Sequence, residues 1–290
     1  MSLHTSLKVG GPADLFAIPE DADDLQDLLR QLGEQHIPWM AIGRGYNLLV
    51  LDGGIRGAVV SLERFNRMER VGENEVKAGT GAENLAVVRF AQDIGLGGIG
   101  FISGIPGTIG GAIKMNAGAY GEGILQKTTS LTLLRGGEIR DFSITELNFG
   151  YRHLDLQAGD IVLSATFRLV EREAQQTEDE ICKDTELRRS KHNVGFPSAG
   201  SFFKNPQGQA AWRLIDAAGM RGARVGGAQV SEVHSNFLVN TGGATAQNFI
   251  ELASMVKNAV FEISGVTLEE EVRIVGAAKA GEGWGKTRET

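Results

Sequence analysis

At 290 residues and 42% hydrophobic, the chain can bury a substantial core and divide into two or three packed units. Its formal net charge of -7 argues against nucleic acid or an anionic membrane as main partner, because both reward clustered Lys and Arg. The one cysteine, Cys182, excludes an intramolecular disulfide and makes a reducing, cytoplasmic setting the default, and no stretch is apolar and long enough to span a bilayer.

In chain order, the first stretch alternates strand and helix. Asp21 can cap a helix with Asp24 at the third position, and Leu25, Leu28, Leu29 and Leu32 recur at one-face spacing until Gly33. Residues 38–42 read as a short buried strand that empties into Gly43-Arg44-Gly45-Tyr46-Asn47, the form of a phosphate cradle. Apolar residues 48–51 then lead to the Asp52-Gly53-Gly54 turn, and 59–62 makes a further strand.

A second unit starts near Met68. Leu85, Val87, Val88 and Ala91 predict a helix that stops at Gly95. Beyond it lies a dense run of small residues, 103–112, continuing through Met115-Asn116-Ala117-Gly118-Ala119-Tyr120-Gly121. Without Cβ atoms, successive N–H groups can approach phosphate oxygens or the polar edge of a flat ring; a plain set of tight turns is the alternative. Strands over 130–134 and 161–169 come next, and 171–189 reads as an acidic, solvated helix leading into a third unit. That unit has an α+β pattern: a helix over 210–218 closed by Gly219, a strand over 237–240, a helix with Phe249, Leu252, Ala253, Val256 and Val260 on one face, and a strand over 271–275. The polar, glycine-rich tail after Gly276 is expected to be disordered.

Several motif matches fail on context. Gly95-Leu96-Gly97-Gly98-Ile99-Gly100 fits the dinucleotide pattern but follows a helix instead of a strand, and Gly43-x-Gly45 has Leu48 where the third glycine belongs. Gly285-Lys286-Thr287 resembles the end of a P-loop, yet Ala280 occupies the leading glycine position. His4, His36, His153, His192 and His234 show no metal-ligand spacing, so no metal is expected, and no nucleophile elbow is present. The remaining candidates are polar and widely spaced: Gly150-Tyr151-Arg152, then Gly200-Ser201-Phe202-Phe203-Lys204-Asn205, then Leu268-Glu269-Glu270-Glu271-Val272-Arg273. Taken singly, Arg152 reads equally as a surface ion-pair residue, Ser201 as a turn hydroxyl, Lys204 as a solvated charge and the acidic cluster as a strand start. Together they supply a cation, a proton donor and a carboxyl group, the set that a developing carbanion beside a carboxylate requires.

These segments, with Thr5-Ser6-Leu7-Lys8-Val9-Gly10-Gly11-Pro12-Ala13, Gly226-Gly227-Ala228-Gln229-Val230-Ser231, His234 and Asn236-Phe237, run in order along nearly the whole chain. In them the chain resembles the UDP-N-acetylenolpyruvoylglucosamine reductases, in the shorter of that family's two subtypes. The resemblance implies an α+β fold. Two subdomains of a vanillyl-alcohol-oxidase-type FAD-binding fold, 1–67 and 68–172, would precede an α+β substrate-binding domain over 173–276 and a flexible tail over 277–290. It implies that Gly43, Arg44, Gly45, Tyr46, Asn47 and Leu48 hold the FAD pyrophosphate. Ser103, Gly104, Pro106, Gly107, Thr108, Gly111, Asn116, Ala117, Gly118 and Ala119, with Tyr120, would line the flavin. The family's small hydroxyl residue is replaced by Tyr46, and the proline of its terminal Leu-Glu-Pro-Glu-Val pattern by Glu270; Val272-Arg273 sets Glu271 as the catalytic carboxyl, with Glu269 the alternative.

The implied reaction is NADPH-dependent. The nicotinamide reduces non-covalent FAD and leaves, and the UDP-sugar that replaces it accepts hydride on its enolpyruvyl carbon. Arg152 and Glu271 would stabilise the resulting charge, Ser201 would protonate the carbon next to the carboxylate, and Tyr151, Lys204 and Asn205 would bind the sugar nucleotide. Two rivals stand beside this. A flavin oxidase would want a covalent tether, and the flavin loops hold no His or Cys; a non-catalytic nucleotide module would not need Arg152, Ser201 and Glu271. The sequence does not specify an oligomeric state.

Overall fold

The computed structural model describes residues 1–119 and 121–279, without the side chains of 119 and 187–192; Tyr120, the Gly285-Lys286-Thr287 segment and most of the expected tail lie outside the described residues. Contacts divide the chain into two compact units, each assembled from separated stretches. A central unit comprises Phe16–Arg44 and Val59–Arg188, and a terminal unit comprises Met1–Leu15, Gly45–Ala58 and Arg189–Thr290. The contiguous boundaries read from the sequence, after 67 and 172, are not the boundaries of contact. Leu7, Val9, Leu49 and Leu51 are buried with Phe202, Phe249 and Val256, so the first stretches of the chain condense onto the last one.

In the central unit, helix α1 (Ala22–Glu34) is capped as expected, the Asp21 carboxylate accepting from the Asp24 N–H at 2.9 Å. Its Leu25 and Leu32 are buried, and Leu28 and Leu29 pack beside Val60, Leu134 and Ile161. The strand expected over 38–42 forms at Trp39–Ile42, with Ile42 alone fully buried. Helix α2 (Asn84–Asp93) buries Val87, Val88 and Ala91. Leu85, one of the four residues that predict this helix, lies about 200° round it from Val87 and is exposed. After α2 comes the short strand Leu96–Gly97 and a single 3-10 turn, Gly100–Ile102, so no strand-loop-helix cradle forms at 95–100.

A five-stranded antiparallel sheet runs in the order Glu138–Ser143, Thr128–Arg135, Ile161–Arg168, Glu75–Gly79, Met68–Gly72. Its middle strand, Ile161–Arg168, is buried along all but its last residue, whereas Glu138–Ser143 is almost wholly exposed. The glycine run contains a helix that the sequence reading did not foresee, α3 (Ile109–Lys114). Ile109, Ala112 and Ile113 face the core cluster around Val76, Leu131 and Phe167. Gly110 serves that packing, since a Cβ there would collide with the Thr80 hydroxyl. Helix α4 (Ala174–His192) is the expected solvated helix, anchored by buried Thr177 and Ile181. On it Glu178 pairs with Arg89 of α2, whose guanidinium, helped by Gln92, holds the carboxyl down to about 2; Cys182, exposed beside it, has its thiol pushed up by the same carboxylate.

The terminal unit holds an antiparallel sheet in the order Ser198–Ser201, Phe237–Asn240, Ala228–Val230, Arg224–Val225, with α5 (Ala211–Ala217) and α6 (Ala246–Ser264). The expected face of α6 is buried. Its N-terminus is closed by a Thr245–Asn248 capping box and by the Asp52 carboxylate, which accepts from the N–H groups of Ala246 (3.0 Å) and Gln247 (2.9 Å). Strand Leu48–Val50 pairs in parallel with Arg273–Val275. Ala277 extends this order beyond Gly276, donating to Gly54 O at 2.8 Å and accepting from Gly53 N–H at 2.9 Å, so the expected flexible tail does not begin at 277. Among the described residues, no helix is long and apolar enough to cross a membrane and no His, Cys, Asp and Glu group is placed to hold a metal.

Candidate active site

The loop after strand Trp39–Ile42 is shaped by two glycines. Gly43 lies so close to Thr108 that a Cβ would come within 2.6 Å of its hydroxyl, and Gly45 takes φ +63°. Arg44 ion-pairs with Glu83 at 2.6 Å. Ser6 holds the next turn, its N–H donating to Gly45 O at 3.1 Å and its hydroxyl to Tyr46 O at 3.2 Å. Among the described residues, the N–H groups of Gly45, Tyr46 and Asn47 donate to no protein acceptor. Backbone donors gathered in a glycine turn and left over from the fold are what an anion cradle presents. The Tyr46 side chain is exposed. Two expected ligand contacts are otherwise engaged: Leu48 is buried in the parallel ladder, and the Asn47 amide donates to Glu271 O at 3.1 Å.

The second loop comes after the 3-10 turn. The Ser103 hydroxyl oxygen is buried with no hydrogen-bond partner among the described residues. Asn84, at the start of α2, donates to Ile105 O at 2.9 Å, and Gly107 O accepts from Asn84 N–H at 3.1 Å, so one buried asparagine grips both sides of Pro106. Gly107 sits at φ +140° with only Asn84 Nδ2, at 3.8 Å, near its Cβ direction. The conformation alone therefore demands glycine, not crowding by the protein. Thr108 is buried, while Pro106 and Gly111 are exposed.

The third element is a pair of hairpins in the central unit. Gly118–Ala119 pairs with Glu122–Gly123, and Phe149–Gly150 pairs with His153–Leu154, leaving Tyr151-Arg152 as a two-residue turn. Asn116 (φ +40°) and Arg152 (φ +55°) are two of the four non-glycine residues at positive φ among the described residues, a conformation that costs of order 1–3 kcal/mol and collects at functional sites. They are joined: Arg152 Nη1 donates to Asn116 O and Gly118 O, each at 3.4 Å. The Asn116 side chain, expected at the cofactor, donates instead to Gly150 O at 2.8 Å and accepts from Leu125 N–H at 3.2 Å. Ala117 is buried, and Tyr151 is exposed with its ring 5.3 Å from the guanidinium carbon.

In the terminal unit, Ser201 ends strand Ser198–Ser201, and its hydroxyl has no protein partner among the described residues. Fully buried Phe202 and Phe203, edge to face at 5.2 Å, anchor the chain on the far side of Ser201. Segments 202–204 and 269–271 run antiparallel: Lys204 N–H donates to Glu269 O and Glu271 N–H to Phe202 O, both at 2.8 Å, about the Phe203–Glu270 bridge. The structure thus brings Ser201 and Glu271 onto adjacent segments of one unit. Glu269 pairs with Lys204 at 3.4 Å and Glu270 with Lys257 at 2.9 Å. Asn205, expected on substrate, accepts Ala211 N–H at its Oδ1 at 3.0 Å and so caps α5.

Asn84 and Asn236 are positioning residues that the sequence pattern does not reveal. Asn236, 3% exposed, accepts from Phe203 N–H at 3.0 Å and donates to Phe203 O at 2.8 Å. The available signal was a polar residue abutting an apolar stretch, which does not reveal its partner.

The comparisons with known proteins agree along the chain. Residues 13–141 match an FAD binding domain, and 191–275 match the C-terminal domain of UDP-N-acetylenolpyruvoylglucosamine reductase. A reductase of that name from Pelobacter propionicus is 76% identical over 95% of this chain and 94% of its own length. One from Geotalea uraniireducens is 54% identical over 95% and 92%. The crystal structure of UDP-N-acetylenolpyruvylglucosamine reductase from Thermus caldophilus superposes with a TM-score of 0.82 at 33% identity, covering 94% of this chain and 96% of that one. The chain belongs to the UDP-N-acetylenolpyruvoylglucosamine reductase family.

Proposed function

We infer that this protein is an FAD-containing oxidoreductase that uses NADPH to reduce the enolpyruvyl group of UDP-N-acetylglucosamine enolpyruvate in peptidoglycan precursor synthesis. The observation that carries this is identity of 76% to a reductase of that name across nearly both whole chains, together with the FAD binding domain over 13–141. The local structure suits the cofactor. Among the described residues, the N–H groups of Gly45, Tyr46 and Asn47 and the buried Ser103 hydroxyl have no protein partner, and space is open beside Gly107. These are neutral donors and small surfaces, fitted to a pyrophosphate and to the polar edge of a ring.

Residues 43–48 would hold the pyrophosphate, and Ser103, Gly104, Pro106, Gly107, Thr108, Gly111 and 116–119 the ring system. In 116–119 the contacts would come from the backbone, since the Asn116 side chain is committed to its own loops. Bound FAD would take up the hydride of NADPH and supply it to the substrate. Arg152, held by two loop carbonyls, would offer its cation to the substrate carboxylate as charge builds beside it. Ser201 Oγ would deliver the proton to the carbon next to that carboxylate. A free hydroxyl is too weak an acid for this, so the Lys204 cation and the Glu271 carboxyl would support it. Lys204, Tyr151 and the Asn205 amide nitrogen, oriented by the Asn205 Oδ1 bond to α5, would bind the sugar nucleotide. In this reading the two flavin-binding subdomains are 1–67 and 68–172, the substrate domain is 173–276, and the enzyme works in the cytoplasm.

The test is anaerobic rapid mixing. NADPH should bleach the flavin, and only the enolpyruvyl sugar should restore its colour. Restoration by oxygen at the same rate would mark an oxidase instead.

A further inference from the structure

The parallel ladder between Leu48–Val50 and Arg273–Val275 pairs Arg273 with Leu48, so one step further Val272 faces Asn47. In such a ladder a residue accepts from the N–H after its partner and donates its own N–H to the carbonyl before it. Asn47 meets the first condition with its backbone, its carbonyl accepting Arg273 N–H at 3.1 Å. It meets the second with its side chain: Nδ2 donates to Glu271 O at 3.1 Å. The side-chain amide replaces a main-chain N–H, and the Asn47 N–H is released toward the glycine loop, donating to no protein acceptor among the described residues. Glu271 is held from both sides, since its own N–H donates to Phe202 O at 2.8 Å in the segment that carries Ser201.

We propose that Asn47 is a positioning residue for the reaction, its side-chain amide fixing the Glu271 backbone so that one residue sets both the glycine turn and the catalytic carboxyl. This rests on the proposed catalytic role of Glu271. The Asn47 side-chain amide acts on the chemistry through Glu271, and a double-mutant cycle measures that dependence.

The experiment uses FAD-loaded enzyme and four proteins: wild type, Asn47→Ala, Glu271→Gln and the double variant. Flavin stoichiometry and amide hydrogen exchange over 269–275 are measured alongside both half-reactions. Asn47→Ala is expected to lower the limiting rate of sugar-dependent reoxidation roughly tenfold, the weight of one lost hydrogen bond. Its effect on the sugar concentration for half-maximal rate should be much smaller, and amide exchange should speed up across 269–275. In the Glu271→Gln background the same change should cost less than about threefold. Asn47→Asp, the same size but lacking the donor, should slow reoxidation at least as much and serves if the alanine variant does not fold. Equal slowing in both backgrounds, or a wild-type rate for Asn47→Ala and Asn47→Asp beside a slow Glu271→Gln, would overturn the positioning role alone. A wild-type rate for Glu271→Gln would overturn the role of Glu271, and this proposal with it.

Discussion

Asn236→Ala tests whether the segment carrying Ser201 is held by one buried amide. Asn236 accepts Phe203 N–H and donates to Phe203 O, and both residues are nearly inaccessible, at 3% and 1%. Removing the amide deletes two hydrogen bonds and leaves two buried backbone groups unsatisfied, each costing about 1–3 kcal/mol. Water entering the vacated volume recovers part of that, so the expected loss is about 3–4 kcal/mol. Asn205→Ala provides the internal scale, because it removes only the α5 cap at an exposed position and should cost about 1 kcal/mol. Chemical denaturation followed by far-UV circular dichroism reads both, the first as a midpoint shift several times the second at unchanged slope. Where Asn236→Ala still folds, sugar-dependent flavin reoxidation should slow more than flavin reduction by NADPH, since the segment carrying Ser201 loses the two side-chain bonds that hold Phe203. A loss for Asn236→Ala no greater than for Asn205→Ala would refute the reasoning that the two backbone groups depend on that amide.

Three further outcomes are expected. Ser201→Ala should leave flavin reduction by NADPH nearly intact and slow reoxidation by the sugar by about 10²–10⁴-fold, and equal slowing of both half-reactions would reduce Ser201 to a structural hydroxyl. Gly107→Val should lose flavin retention because a branched residue is forced to φ +140°, and Gly107→Ala should fail in the same direction; full FAD occupancy in both would exclude a strict backbone requirement. The Glu178 carboxyl is depressed to about 2 in the fold, so the Arg89–Glu178 pair contributes fully above pH about 4.5 and is lost as pH falls toward 2. The melting-temperature gap between wild type and Glu178→Gln should therefore shrink from pH 7 to pH 3, and a constant gap would show that the pair contributes through packing instead.

Local physics was legible in the sequence. The Asp21 cap, the buried leucines of α1, the face of α6 and the strand Phe237–Asn240 all arise from neighbours within a few residues, where spacing and side-chain type suffice. The ordered polar segments also led to the family and to the backbone character of the glycine turn at 43–47. Three kinds of fact required tertiary structure. The edge strand Glu138–Ser143 is mostly exposed and its two apolar residues, Ile139 and Phe142, fall on opposite faces, so it carries no period to read. The terminal unit joins residues 1–15, 45–58 and the C-terminal stretch, and such condensation depends on core complementarity between distant segments, which no local window contains. Asn47, Asn116 and Asn205 look in sequence like loop amides awaiting a ligand, yet their side chains bond to Glu271 O, Gly150 O and Ala211 N–H. An amide offers the same donor and acceptor to a phosphate as to a peptide group, and only the packed chain decides which of them is within reach.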